Sequence, residues 1–138
     1  MITAYDVEPR LLISKVAEKL KAEIEQPVYV IQVKSGVHAE RLPEQKDFWY
    51  IRCASILWQI YRRAKVGTNR LRHHYGGAKH RGVKPEKHAL AGGATIRRAM
   101  QALEKAGYLK KEENGRVLTS KGRKLLDLTA KQIIDSQQ

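Results

Sequence analysis

Leu12, Ile13, Val16, Leu20 and Ile24 recur three and four apart, which is the spacing of one face of a helix. Glu8 followed by Pro9 marks its start, because proline's fixed φ suits the first helical position and its missing N–H is not needed there. The pattern predicts a first helix from Pro9 to near Glu25, ahead of Pro27. Val28 to Val33 is too short for periodicity to choose between a strand and a helical turn. Lys34 to Lys46, with Gly36 and Pro43, reads as surface loop.

The next pattern is denser. Asp47 is a suitable N-cap, and Phe48, Trp49, Ile51, Ala54, Ile56, Leu57, Trp58, Ile60 and Tyr61 follow almost without a break. Arg52, Ser55, Gln59, Arg62 and Arg63 fall three or four apart and form one narrow polar stripe. This second helix is therefore expected at the centre of the domain, exposed only along that stripe. Cys53 lies off the stripe, where a small packing residue is expected rather than a nucleophile.

After Gly67, Thr68 to Tyr75 reads as a short helix, and Gly76 to Gly93 as a glycine-rich loop. A fourth helix opens at or just before Thr95, with Ile96, Met100 and Leu103 inward, and Gly107 closes it. Tyr108 to Lys111 and Arg116 to Thr119 flank Glu112-Glu113-Asn114-Gly115, a hairpin signal because Asn and Gly tolerate positive φ. Thr119 caps a last helix with Leu125, Leu126, Thr129 and Ile133 inward. The sequence is thus expected to fold as a mainly α winged helix-turn-helix on a central buried amphipathic helix. It would carry a small β-hairpin wing and, over about 66–93, an embedded basic glycine-rich loop, all in one domain spanning 1–138.

Charge changes the picture most. Between Arg62 and Arg98 stand eleven Lys/Arg against the single acid Glu86, so this segment carries +10 of the net +13. The segment before it is balanced and the one after carries +3. A block like this repels itself unless a polyanion neutralises it, and Gly76, Gly77, Gly82, Gly92 and Gly93 let backbone amides approach phosphates closely. A merely solvated loop would need interspersed acids to hold together. The residues expected to meet a nucleic acid are Arg52, Arg62, Arg63, Lys65, Arg70, Arg72, Tyr75, Lys79, Arg81, Lys84, Lys87, Arg97 and Arg98. Tyr75, beside two glycines, is the aromatic available for base stacking, whereas Trp49, Trp58, Tyr50 and Tyr61 are expected in the core.

Other chemistries fit poorly. The single cysteine rules out an internal disulfide and a cysteine-based zinc site, and suits a reducing cytoplasm. His73, His74, His80 and His88 cluster in the basic block, but surrounding cations oppose a metal dication and no Cys or Asp accompanies them. Hydrogen bonding to phosphate or stacking on bases is the better role for them. The acids are scattered, Ser55 has no His and Asp at a recognisable spacing, and the glycines lack the Gly-Lys-Ser/Thr ending of a phosphate-hydrolysing loop. No enzyme activity, cofactor or metal is expected. No apolar run is long enough to span a membrane, and no amino-terminal targeting signal is seen.

Three segments carry a family resemblance: Asp47-Phe48-Trp49-Tyr50 through Arg52, Ala54 and Ser55; Tyr75-Gly76-Gly77 with Arg81-Gly82-Val83 and Pro85; and Gln101 to Gly107. Over essentially its whole length the chain resembles the archaeal and eukaryotic "e" form of small-subunit ribosomal protein nineteen. The resemblance implies a winged helix seated on ribosomal RNA in the head of the small subunit, and a requirement for that subunit's maturation. It implies as partners ribosomal RNA and its precursor, with neighbouring small-subunit proteins, and a monomer when isolated. Arg52, Arg62, Arg81, Arg97 and Arg98 match the family's basic surface, and Cys53 stands where the family has alanine. The rival expectation is a winged-helix transcription regulator binding DNA. Such a protein would concentrate charge on the fourth helix and the wing, whereas here Lys110 and Lys111 are offset by Glu112 and Glu113.

Overall fold

A computed structural model of the chain describes residues 2–27, 29, 33–43 and 46–138. Five helices and two small antiparallel sheets are present among them. The helices are α1 (Pro9–Leu20), α2 (Phe48–Arg63), α3 (Thr68–Tyr75), α4 (Gly93–Lys105) and α5 (Ser120–Gln137). Strands β1 (Lys65–Val66), β4 (Leu109–Glu112) and β5 (Gly115–Leu118) form one sheet in the order β1-β5-β4, and β2 (Gly77–Arg81) pairs with β3 (Lys84–Ala89) in the other.

The core is organised around α2, with nine of its sixteen residues buried. Helix α1 lies along α2, α5 lies along α1, and α4 packs on both α2 and α3. Leu12, Val16 and Leu20 of α1, Ile56, Leu57 and Ile60 of α2, Ile96, Met100 and Leu103 of α4, and Leu126 of α5 join one contiguous buried cluster. Cys53 is fully buried in it, and desolvation raises its thiol pKa far above the ordinary value. It therefore stays an uncharged packing group.

The helix ends follow local chemistry. Thr119 Oγ1 accepts from Gly122 N at 3.2 Å, capping α5, while its hydroxyl donates to Gly107 O at 2.6 Å. Past α4, Gly107 N bonds Glu104 O and Tyr108 N bonds Leu103 O, a paired closure that needs the left-handed φ of +90° at Gly107. Asn114, at φ +65°, turns β4 into β5, and at Gly115 a Cβ would stand 3.1 Å from the Val66 carbonyl of β1, so glycine suits this close approach.

Several expectations are corrected. Helix α1 ends at Leu20, not near Glu25, because the N–H groups of Ala22 and Glu23 bond three residues back in tightened turns. Ile24 nonetheless stays buried. Asp47 precedes α2 as foreseen, but its carboxylate makes no cap bond and instead pairs with Lys21 Nζ at 3.2 Å. Gln59, in the middle of the polar stripe, is only 5% exposed, and its Oε1 finds no partner among the described residues. The strand β1 has only two residues and left no periodic signal. The expected irregular loop Gly76 to Gly93 is mostly a hairpin, so the fold holds more β structure than a mainly α chain with one wing. Most of Val28 to Val33 lies outside the described residues.

Trp58 is 6% exposed and stacks on Tyr61 at 5.9 Å between ring centroids. Trp58→Ala leaves a cavity in the central helix packing and is expected to cost about 3–5 kcal/mol in chemical denaturation.

Candidate nucleic-acid interface

The β2–β3 ribbon is the element on which the excess charge is displayed. Every side chain from Ala78 to His88 is exposed, so neither face of the ribbon is buried against the body. Its register sets Lys79 opposite Lys87 and Arg81 opposite Lys84. Like charges directly across an antiparallel pair oppose pairing. The ribbon also holds an irregularity between Lys79 and Arg81, and Gly82 turns its tip at φ +72°. Glu86, the only acid in the block, lies 3.7 Å from His80 Nδ1 and neutralises none of the ribbon's lysines or arginines.

The ribbon is fixed at its root. Arg72, on α3, bonds Ala91 O through Nε at 2.9 Å, and the Arg72 carbonyl accepts from Gly76 N and Ala91 N. Gly92 N bonds Ser35 O at 2.8 Å, Gly36 bridges to Ala91, and Lys79 Nζ reaches Val37 O at 3.0 Å. At Gly76 a Cβ would stand 2.2 Å from the Ala89 carbonyl, so only glycine lets α3 meet the returning strand. Arg72 is thus a staple as well as a cation, and its half-buried stem occupies the space beside Gly93, where a Cβ would stand 3.2 Å from Arg72 Cδ.

Arg52 and Tyr75 are brought together. The Arg52 guanidinium sits 3.9 Å from the Tyr75 ring centroid and 5.0 Å from that of Phe48, and the Tyr75 hydroxyl shares a 2.6 Å hydrogen bond with Ser55. Burial lowers the pKa of Arg52 and raises that of Tyr75, yet guanidinium stays charged at neutral pH. This contact locks α3 on α2 and occupies one face of the tyrosine. Arg62 and Arg63 are exposed at the end of α2. His74 lies among these arginines: burial lowers its pKa first, then Arg63, Arg52 and Arg62. The carboxyl end of α2 and α3 thus present one cationic surface.

The remaining predicted residues divide by setting. Lys84, Lys87, Arg97 and Arg98 are exposed, with the Arg98 guanidinium 5.5 Å from the Tyr29 ring centroid. Arg81 Nε bonds Pro85 O within the ribbon at 2.9 Å. Lys65 and Arg70 line a concavity with Thr68, Asn69 and Asn114 between α3 and the β4–β5 turn, and Lys65 is 3.9 Å from Glu112. Of the eleven cations in the block, Lys65 is the only one paired with a carboxylate among the described residues. The histidines separate: His73 stacks with His88 at 6.3 Å, and the described residues hold no group of three or more His, Cys, Asp or Glu arranged for a metal. The candidate set omitted the cations of α5, Lys121, Arg123, Lys124 and Lys131, of which Lys124 and Lys131 stand seven apart, two helical turns, on one face.

The sequence pattern of the family described as Ribosomal protein S19e matches residues 3–136. The chain belongs to that family. It is 40% identical to small ribosomal subunit protein eS19 of Aeropyrum pernix over 98% of this chain and 92% of that one. It is 44% identical to the eS19 of Haloarcula marismortui over 94% and 90%, and 39% identical to eS19G of Ascaris suum over 93% and 89%. The family is one of ribosomal proteins, structural rather than catalytic.

The geometry separates arginines that hold the fold from arginines that only carry charge. Arg72→Ala strands the Ala91 carbonyl and is expected to cost about 1–2 kcal/mol. Arg97→Ala, on an exposed helix face, is expected to cost about half a kcal/mol or less, both read by thermal melting.

Proposed function

We propose that this chain is a structural constituent of the small ribosomal subunit, in its head, that binds ribosomal RNA through the β2–β3 ribbon, the α2–α3 surface and α4. The observation that carries the reading is the ribbon's register. Lys79 against Lys87 and Arg81 against Lys84 weaken an isolated hairpin, and phosphates placed along it reverse the sign of that term. Ten of the block's eleven cations lack a carboxylate partner among the described residues, which suits neutralisation from outside. The names of the relatives support the small subunit as the assembly concerned.

In this account the contacts are mainly to phosphates, so they fix position rather than read sequence. Lys84 and Lys87 on the ribbon and Arg62, Arg63, Arg97 and Arg98 on the helices supply mobile cationic heads, while Arg52 and Arg72 hold the elements that present them. The order α2, β1, α3, α4, β4, β5 supports a winged-helix domain spanning 1–138, with β4–β5 as wing and the basic ribbon inserted between α3 and α4. No cofactor has a task here. The free protein is a cytoplasmic monomer, and its binding to precursor RNA supports maturation of the subunit by drawing RNA helices together where their phosphates converge.

Affinity for structured small-subunit RNA is expected to fall steeply with salt, and Arg98→Ala is expected to reduce the slope of log K against log salt by about one. Filter binding across a salt series measures this, and an affinity indifferent to salt would remove phosphate contact as the mechanism.

A further inference from the structure

Helix α5 turns Leu126, Ala130 and Ile133 into the core and leaves Lys124, Leu128 and Lys131 on the opposite face, at i, i+4 and i+7. That face forms one wall of an open cleft of about 740 Å³, with Ile2 and Leu118 among the residues completing it. Leu128 is 48% exposed in the cleft, an apolar side chain standing between two exposed lysines. The acid of the cleft, Asp127, is already committed: its Oδ1 accepts from Ala4 N at 3.1 Å and from the Tyr61 hydroxyl at 2.9 Å. Arg123 lies over the Tyr61 ring at 4.9 Å, and neither lysine has a carboxylate partner among the described residues.

We propose that this cleft docks an acidic segment of another protein, one that sets an apolar side chain between carboxylates. Charge complementarity selects the acid, with Lys124 and Lys131 on either side of the apolar centre. The apolar floor selects protein over RNA. Phosphates would satisfy the lysines but leave Ile2, Leu118 and Leu128 against a charged backbone, and among the described residues no aromatic side chain lines the cleft to stack a base. None of the lining residues belongs to α3, α4 or the β2–β3 ribbon, so the site stands apart from the RNA-binding reading and does not depend on it.

The test is fluorescence anisotropy on the full chain with a labelled peptide of two leucines set among glutamates. The wild-type protein is expected to bind it, and Leu128→Glu, or Lys124→Glu combined with Lys131→Glu, to weaken binding about tenfold. Replacing the peptide's leucines with serines is expected to have the same effect, while Lys84→Ala with Lys87→Ala on the ribbon leaves binding unchanged. These side chains are exposed, so the variants should fold, and circular dichroism checks that; if Leu128→Glu does not fold, Leu128→Ser serves in its place. Three results would overturn the proposal: no binding by the wild-type chain at about 1 mM peptide, equal losses from the ribbon variant, or a structured RNA whose own affinity drops with Leu128→Glu.

Discussion

Helix α2 is enclosed on nearly every side, and an enclosed helix has no place for unpaired charge. Where arginine does enter this region it is compensated: Arg52 lies between Phe48 and Tyr75, with its partner's hydroxyl tied to Ser55. Of the basic block, only Arg72 is half-buried; the other cations are exposed, Arg62 and Arg63 at the end of α2, Lys65 on β1, Arg70 on α3, Arg97 and Arg98 on α4 and the rest on the ribbon between α3 and α4. The chain supplies almost no acid there, so the surface is complete in shape but incomplete in charge. On the proposed function a polyanion supplies the missing charge, so the constraint that keeps the core free of charge also shapes the exterior for a partner.

The way the ribbon is attached follows from this. A hairpin whose opposed residues repel, and which buries neither face, cannot rely on its own strands for position. The structure compensates at the root, where Arg72 binds Ala91 and where Gly76 and Gly92 let three backbone segments meet within hydrogen-bonding distance. The root is held by hydrogen bonds and the tip is exposed. On the proposed function such an arrangement aims the cations at RNA.

Much of this was legible in the sequence, and what was not has physical causes. The buried α2, the Asn114 turn, the Gly107 closure and the Thr119 cap each leave a local signature, because each depends on residues within one or two turns of chain. The ribbon left none: Lys, His and Glu have weak strand preference, and strands without a buried face show no alternation. Its glycines were expected to let phosphates approach; the close approach the structure shows lies within the protein, of Gly76 to Ala89 and of Gly92 to Ser35. The double role of Arg52 and Arg72 was hidden for a different reason. A guanidinium that staples the fold and one that awaits an anion are the same residue type, and only tertiary contacts tell them apart. The cations of α5 left no comparable signal, because they sit in a tail that carries only +3.

The central claim is that the outward cations serve assembly and not folding. It is tested most directly by melting Arg97→Ala and Arg98→Ala proteins and following the same variants into small subunits on sucrose gradients. The account predicts melting within about 2 °C of the parent protein, together with reduced incorporation and accumulation of precursor RNA. Incorporation that falls only in proportion to a lowered melting temperature would contradict it, and would make the basic surface part of the scaffold instead of the interface.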